Sequence, residues 1–132
     1  MNRRHVVTRI VSSVSLASGV LLFALESAYS FSFGGSAAGI LIDYIAAGLL
    51  GYAGFASLRR PPVGAPGLLF GAWSYALCDV YRAVWWRLAV PAGSRKEPES
   101  VLIGLLAAGA LTVTMFLITF WLARPGPASR AS

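Results

Sequence analysis

The sequence predicts an all-α membrane protein, a four-helix up-and-down transmembrane bundle with both termini in the cytoplasm. Three observations predict it. Of 132 residues, 57% are hydrophobic and only 12% are charged, against about 25% charged in ordinary soluble domains. A short soluble chain needs more polar residues than this to cover its surface, so lipid is the expected solvent for much of it. The apolar residues collect in four stretches, each near the ~20 residues a helix needs to span ~30 Å of hydrocarbon. The basic residues gather at alternate ends of those stretches.

The first stretch runs over about 6–25, "VVTRIVSSVSLASGVLLFAL", behind a basic start. The second covers about 37–58, the third 67–90 and the fourth 101–123. None shows the strict alternation of a membrane strand. In lipid every backbone group must be bonded internally, so helix is the default. The connections are short and carry turn chemistry: "ESAYSFSFGGS", then "RRPPVGAPG" with three prolines, then "PAGSRKEPES". Prolines end helices, and short connections make neighbours antiparallel. Residues 1–123 form one domain in this reading, and 124–132, "RPGPASRAS", form a disordered cytoplasmic tail.

Orientation follows from charge. Arg3, Arg4, Arg9, Arg59, Arg60, Arg124 and Arg130 fall on one side with no acidic residue among them. Glu26, Glu97 and Glu99 fall on the other, with Arg87, Arg95 and Lys96. The positive-inside rule places the arginine-rich side in the cytoplasm. A bacterial inner (cytoplasmic) membrane is the expected location. A rival reading takes the first stretch as a secretory leader cut near Ala28–Ser30, which leaves three helices in the same orientation.

Composition also narrows function. The net charge of +6 lies at helix ends rather than in a basic face, so no nucleic-acid partner is expected. Cys78 and His5 are each the only residue of their type. One chain therefore supplies no disulfide, no bis-His haem site and no Cys or His metal cluster, and no cofactor is expected. The expected partners are the lipid bilayer and a further copy of the chain or a larger membrane complex.

Burial from water cannot drive helices together in lipid, so small residues and interhelical hydrogen bonds must. The second helix offers Gly35, Gly39, Gly48, Gly51 and Gly54; the fourth offers Gly104; the first offers Ser12, Ser15 and Ser18. Thr112 and Thr119 share a face of the fourth and are expected to bond across helices. Internal packing is the expected use of this surface, and a homo-oligomer contact the alternative.

The third helix carries charge inside its apolar run. At 100° per residue, Tyr75, Asp79, Arg82 and Trp86 fall within about 60° of one another. Counted from the cytoplasmic side, Asp79 lies ~18 Å and Arg82 ~22 Å deep. Asp43, entering from outside on the second helix, reaches ~9 Å below the outer surface, level with Arg82. Glu26 ends the first helix on that side. The predicted site is thus an outward-opening polar cluster of Glu26, Asp43, Asp79 and Arg82, ringed by Tyr44, Tyr75 and Tyr81. The competing reading has Arg82 snorkelling to the headgroups beside a Trp85–Trp86 aromatic belt. Ionisable residues within membranes are usually functional, so Asp43 and Asp79 are ion- or ligand-binding candidates.

Three functions are weighed. The first is a non-catalytic accessory, assembly or structural subunit of the membrane. The second is a homo-oligomeric small transporter or proton-coupled carrier using Asp43 and Asp79. The third is an enzyme or quinone-type site on the outer face, disfavoured because no nucleophile–base pair is legible.

Overall fold

The computed structural model describes residues 2–59 and 64–125. Its elements are α1 (Arg3–Phe33), α2 (Ala37–Arg59), α3 (Ala65–Ala89) and α4 (Glu99–Ala123), with one 3₁₀ turn at Ala92–Ser94. Every regular element among the described residues is helical. By length and composition, α1, α2 and α4 are apolar enough to cross a membrane. The 25 residues of α3 are long enough, but Asp79, Arg82 and Arg87 dilute its apolar character. Arg60, Arg130 and the expected tail beyond Pro125 lie outside the described residues.

The first helix is longer than the apolar pattern indicated. It begins at Arg3, where the Asn2 side chain caps it by accepting from the Arg4 amide at 3.3 Å. It then continues through 26–33, a segment expected to be a loop. Nothing in "ESAYSFSF" breaks a helix. Ser27 Oγ returns to the Phe23 carbonyl at 2.7 Å, and Tyr29 packs on Phe33 one turn on. The helix stops only at Gly34, whose φ of 71° suits glycine. The connection to α2 is therefore just Gly34–Ser36.

The other boundaries follow proline. Gly64 precedes α3, with Pro66 in its first turn, where a missing N–H costs nothing. Pro98 stands before α4, and Glu99 opens it with an acid on the positive end of the helix dipole.

Neighbouring helices run antiparallel. Tyr44 of α2 meets Ser27 of α1 near one end, while Gly54 lies against Ser12 and Leu16 nearer the other. Phe70 of α3 packs on Phe116 and Phe120 of α4, and Val80 meets Gly109. The α1–α2 and α3–α4 pairs are the most extensive contacts, α2 joins α3 between them, and α1 touches α3 and α4 lightly. Arg4 closes the ring at the basic end: its guanidinium donates to the Arg124 carbonyl at 3.4 Å and lies 5.3 Å from the Trp121 ring.

Val11, Leu50, Leu69, Met115 and Leu122 form a buried apolar core, but polar residues are buried with them and many large apolar ones are exposed. The buried set includes Ser12, Ser15, Ser57, Thr112, Thr119 and Asp79 beside small alanines and Trp73. The exposed set includes Leu21, Phe23, Leu49, Phe55, Ile103, Leu106 and Leu117. Large apolar side chains on an extended outer surface are what lipid solvates.

Close packing of α1 on α2 depends on two glycines. A Cβ at Gly54 would stand 2.5 Å from the Leu16 amide and 2.6 Å from the Ser12 carbonyl. A Cβ at Gly19 would stand 2.6 Å from the Gly51 amide and 2.7 Å from the Ala47 carbonyl. Backbone thus meets backbone at two levels. Of the glycines singled out from sequence, Gly54 and Gly51 line this seam. Gly48 and Gly104 face open space, and Gly35 and Gly39 meet only the nearby Ile40 and Ser36 side chains. Those four do not pack helix on helix within the chain, because i+3 and i+4 spacing does not say which face meets a partner. Thr112 and Thr119, though buried, bond to carbonyls of their own helix, not across helices.

Candidate functional site

Asp79 and Arg82 are one turn apart on α3, so their side chains meet on one face. Arg82 Nη2 donates to Asp79 Oδ1 at 2.8 Å, and Nε donates to the same oxygen at 3.2 Å. The same Nη2 donates to Asp43 Oδ1 of α2 at 2.7 Å. One guanidinium nitrogen therefore bridges two carboxylates on two helices. Asp79 is buried, Asp43 nearly so at 18% side-chain exposure, and Arg82 remains a third exposed at 33%. The guanidinium turns inward to the carboxylates instead of away toward the helix ends.

Glu26 of α1 lies close enough to Asp43 for the two carboxyl groups to interact. Ser30 Oγ, a turn further along α1, donates to Glu26 at 3.4 Å. The cluster thus gathers side chains from α1, α2 and α3, as the depth argument expected. It holds three carboxyl groups and one guanidinium. With all ionised, its charge is negative, in surroundings where net charge is costly.

The tyrosines divide. Tyr44 supports the cluster from beside Asp43: its ring packs on Phe23 with centroids 5.0 Å apart, and its hydroxyl meets Ser27 Oγ at 2.9 Å. Because the Ser27 hydrogen is committed to the Phe23 carbonyl, the Tyr44 hydroxyl is the donor. Tyr75 is half-buried and makes no side-chain hydrogen bond among the described residues. Tyr81 is exposed and stacks on Trp85, and neither tyrosine makes a side-chain hydrogen bond to the cluster among the described residues. Tyr75 stands one turn from Asp79 but seven residues, about two turns, from the Arg82 level.

Below the cluster lies a contact that sequence reasoning missed. Trp73 is completely buried and donates its indole N–H to Ser15 Oγ of α1 at 2.7 Å. Ser15 passes the bond on, donating to the Val11 carbonyl at 2.8 Å. In sequence Trp73 lies twelve residues before Trp85, about 18 Å along the helix, but nothing there named Ser15 as its partner. Gly19 was also missed, although it lies four residues after Ser15 and extends that small-residue line.

At the acidic end, Arg87 pairs with Glu97 at 2.9 Å and lies 5.2 Å from the Tyr29 ring. This fastens the end of α3 to the 90–98 connection and to the projecting end of α1. A cavity of about 30 Å³ lies there, lined by Arg87, Arg95, Glu97 and Leu102 among others. It has room for little more than a water or two. Cys78 is exposed on α3.

Chemically, the cluster can do two things. The bridged nitrogen locks α2 to α3. The Glu26–Asp43 side offers carboxyl oxygens beyond those that Arg82 neutralises. No protein-family model matches this chain, and neither a curated protein nor a solved structure is detectably similar to it.

Proposed function

We propose that this chain is a small multi-pass membrane protein that works without a reaction of its own, as an accessory subunit within a larger membrane assembly. In this reading all four helices cross the bilayer. The charged face of α3 is turned to its neighbours, which lets α3 cross despite its composition. Both chain ends and the α2–α3 connection face the cytoplasm.

The observation that carries the reading is the Arg82 bridge. A guanidinium held by Asp43 and Asp79 is a helix clamp, with its strongest donor already occupied. The exposed apolar faces of α1 and α4 supply the surface on which partner helices would pack. The test is native mass spectrometry of the gently solubilised protein. Co-purification of an unrelated membrane subunit, retained in Asp43→Asn, is the expected result. A homogeneous free monomer would count against it.

A second reading has one observation in its favour, the excess of carboxyl groups over cation around Asp43. A proton or monovalent cation on the Glu26–Asp43 side would balance it, as in a homo-oligomeric proton-coupled carrier. That reading expects a dimer in detergent and pH-dependent uptake lost in both Asp43→Asn and Asp79→Asn. Uptake unchanged in both variants removes it.

A further inference from the structure

We propose that the crevice where the start of α1 meets the end of α2 binds a phosphate oxyanion, supplied in the membrane by an anionic phospholipid headgroup. The cavity is about 50 Å³ and is lined by His5, Thr8, Arg9, Ser57 and Leu58. A single water needs only ~10–15 Å³, so the space admits a larger polar group.

Three features make it an anion site. The first is Ser57. It is 2% exposed, and its Oγ has no hydrogen-bond partner among the described residues. Most of the other buried helical hydroxyls return to a carbonyl of their own helix, as Ser12 does to Thr8 and Thr119 to Met115. Ser57 instead lines the cavity with its buried hydroxyl left unmet, which native proteins rarely allow.

The second is Arg9. Arg4, Arg59 and Arg124 at this end each lie over an aromatic ring, of Trp121, Phe55 and Phe120. Arg9 has neither a ring nor an ion pair among the described residues; the residue is exposed and lines the crevice. The third is the absence of any internal counter-ion. The five acids of the chain are Glu26, Asp43, Asp79, Glu97 and Glu99, and the structure gathers the pairs they make at the opposite end.

Phosphate matches these donors. It accepts from a guanidinium, an imidazole N–H and a hydroxyl at once through separate oxygens. The Thr8 hydroxyl is already spent on the Arg4 carbonyl at 2.8 Å, so Arg9, His5 and Ser57 are the donors that remain. The lipid source rests on the membrane reading above; the oxyanion chemistry does not.

The experiment uses the full chain in neutral detergent, titrated with dioleoyl-phosphatidylglycerol and separately with dioleoyl-phosphatidylcholine, with bound lipid read by native mass spectrometry. One phosphatidylglycerol is expected to bind at least about tenfold more tightly than phosphatidylcholine. Arg9→Gln lowers that affinity about tenfold and Ser57→Ala several-fold. Ser57→Ala keeps the volume and leaves thermal stability unchanged or slightly higher, which separates lost binding from lost folding. Arg59→Gln, outside the crevice, leaves affinity within about twofold. Inorganic phosphate identifies the source: displacement of lipid by millimolar phosphate assigns the site to the free ion, and persistence assigns it to the headgroup. Equal binding of both lipids, or phosphatidylglycerol binding untouched by Arg9→Gln and Ser57→Ala, overturns the proposal. A chain that stays dissolved without detergent sinks the membrane reading alone, while phosphate binding to wild type and to Arg9→Gln still tests the crevice.

Discussion

Trp73 of α3 donates its indole N–H to Ser15 Oγ of α1 at 2.7 Å, and both side chains are completely buried. This is the polar contact that ties the α1–α2 pair to the α3–α4 pair in mid-chain depth. Ser15→Ala leaves the indole N–H unpaired and is expected to destabilise by about 1–2 kcal/mol. Thermal unfolding in detergent measures it. Trp73→Phe on the Ser15→Ala background should cost less than the sum of the two single changes, since the shared bond is lost only once.

The glycine seam gives a sharper contrast. Gly54→Ala places a methyl group 2.5 Å from the Leu16 amide, so α1 and α2 must part. A loss of about 2–3 kcal/mol is expected, as for other overpacked contacts. Gly48→Ala, where an added Cβ meets nothing within 4 Å, should be neutral or slightly stabilising, because alanine favours helix. Equal effects at the two positions would remove the seam from the account.

Arg82→Gln leaves Asp43 and Asp79 facing each other without their cation. A cost of about 3 kcal/mol is expected, the low end for a broken buried pair because Arg82 is partly exposed. Asp43→Asn retains a hydrogen-bond acceptor for Arg82 and lowers the carboxylate count, so it should cost under about 1 kcal/mol. Chemical denaturation of the two variants in one detergent compares them directly. The reverse order would show that Asp43, not the guanidinium, holds the helices.

Orientation is testable in intact cells on a Cys78→Ala background. Ser94→Cys, in the 3₁₀ turn before α4, is expected to react with a membrane-impermeant maleimide from outside. Asn2→Cys is expected to react only after permeabilisation. Labelling of Asn2→Cys in sealed cells inverts the proposed topology.

Much of this fold was legible because hydrophobic length and proline placement are local signals. The starts and ends of α2, α3 and α4 fall within about two residues of those read from the apolar runs. The Asp43–Arg82 pairing was also legible, since depth along two antiparallel helices is set by rise per residue alone. What failed was rotation. Whether Gly48 or Gly54 faces α1, and whether Tyr75 reaches the cluster, depends on which side of a nearly uniform helix meets its neighbour. An apolar helix surrounded by lipid carries little periodicity to reveal that. The 26–33 segment was misread for another reason: its serines look like loop residues but bond back to their own helix.

The length of α1 has its own consequence. Thirty-one residues make a rod of about 46 Å, well beyond the ~30 Å of a hydrocarbon layer even when steeply inclined. If α1 crosses a bilayer as proposed, the surplus has to stand clear of the oil. In the proposed orientation the outer surplus is the stretch carrying Tyr29, Phe31 and Phe33, a stiff stub among the headgroups, with Arg87 lying over the Tyr29 ring. Under that topology, anything approaching from outside the cell meets the aromatic post before the charged clamp beneath.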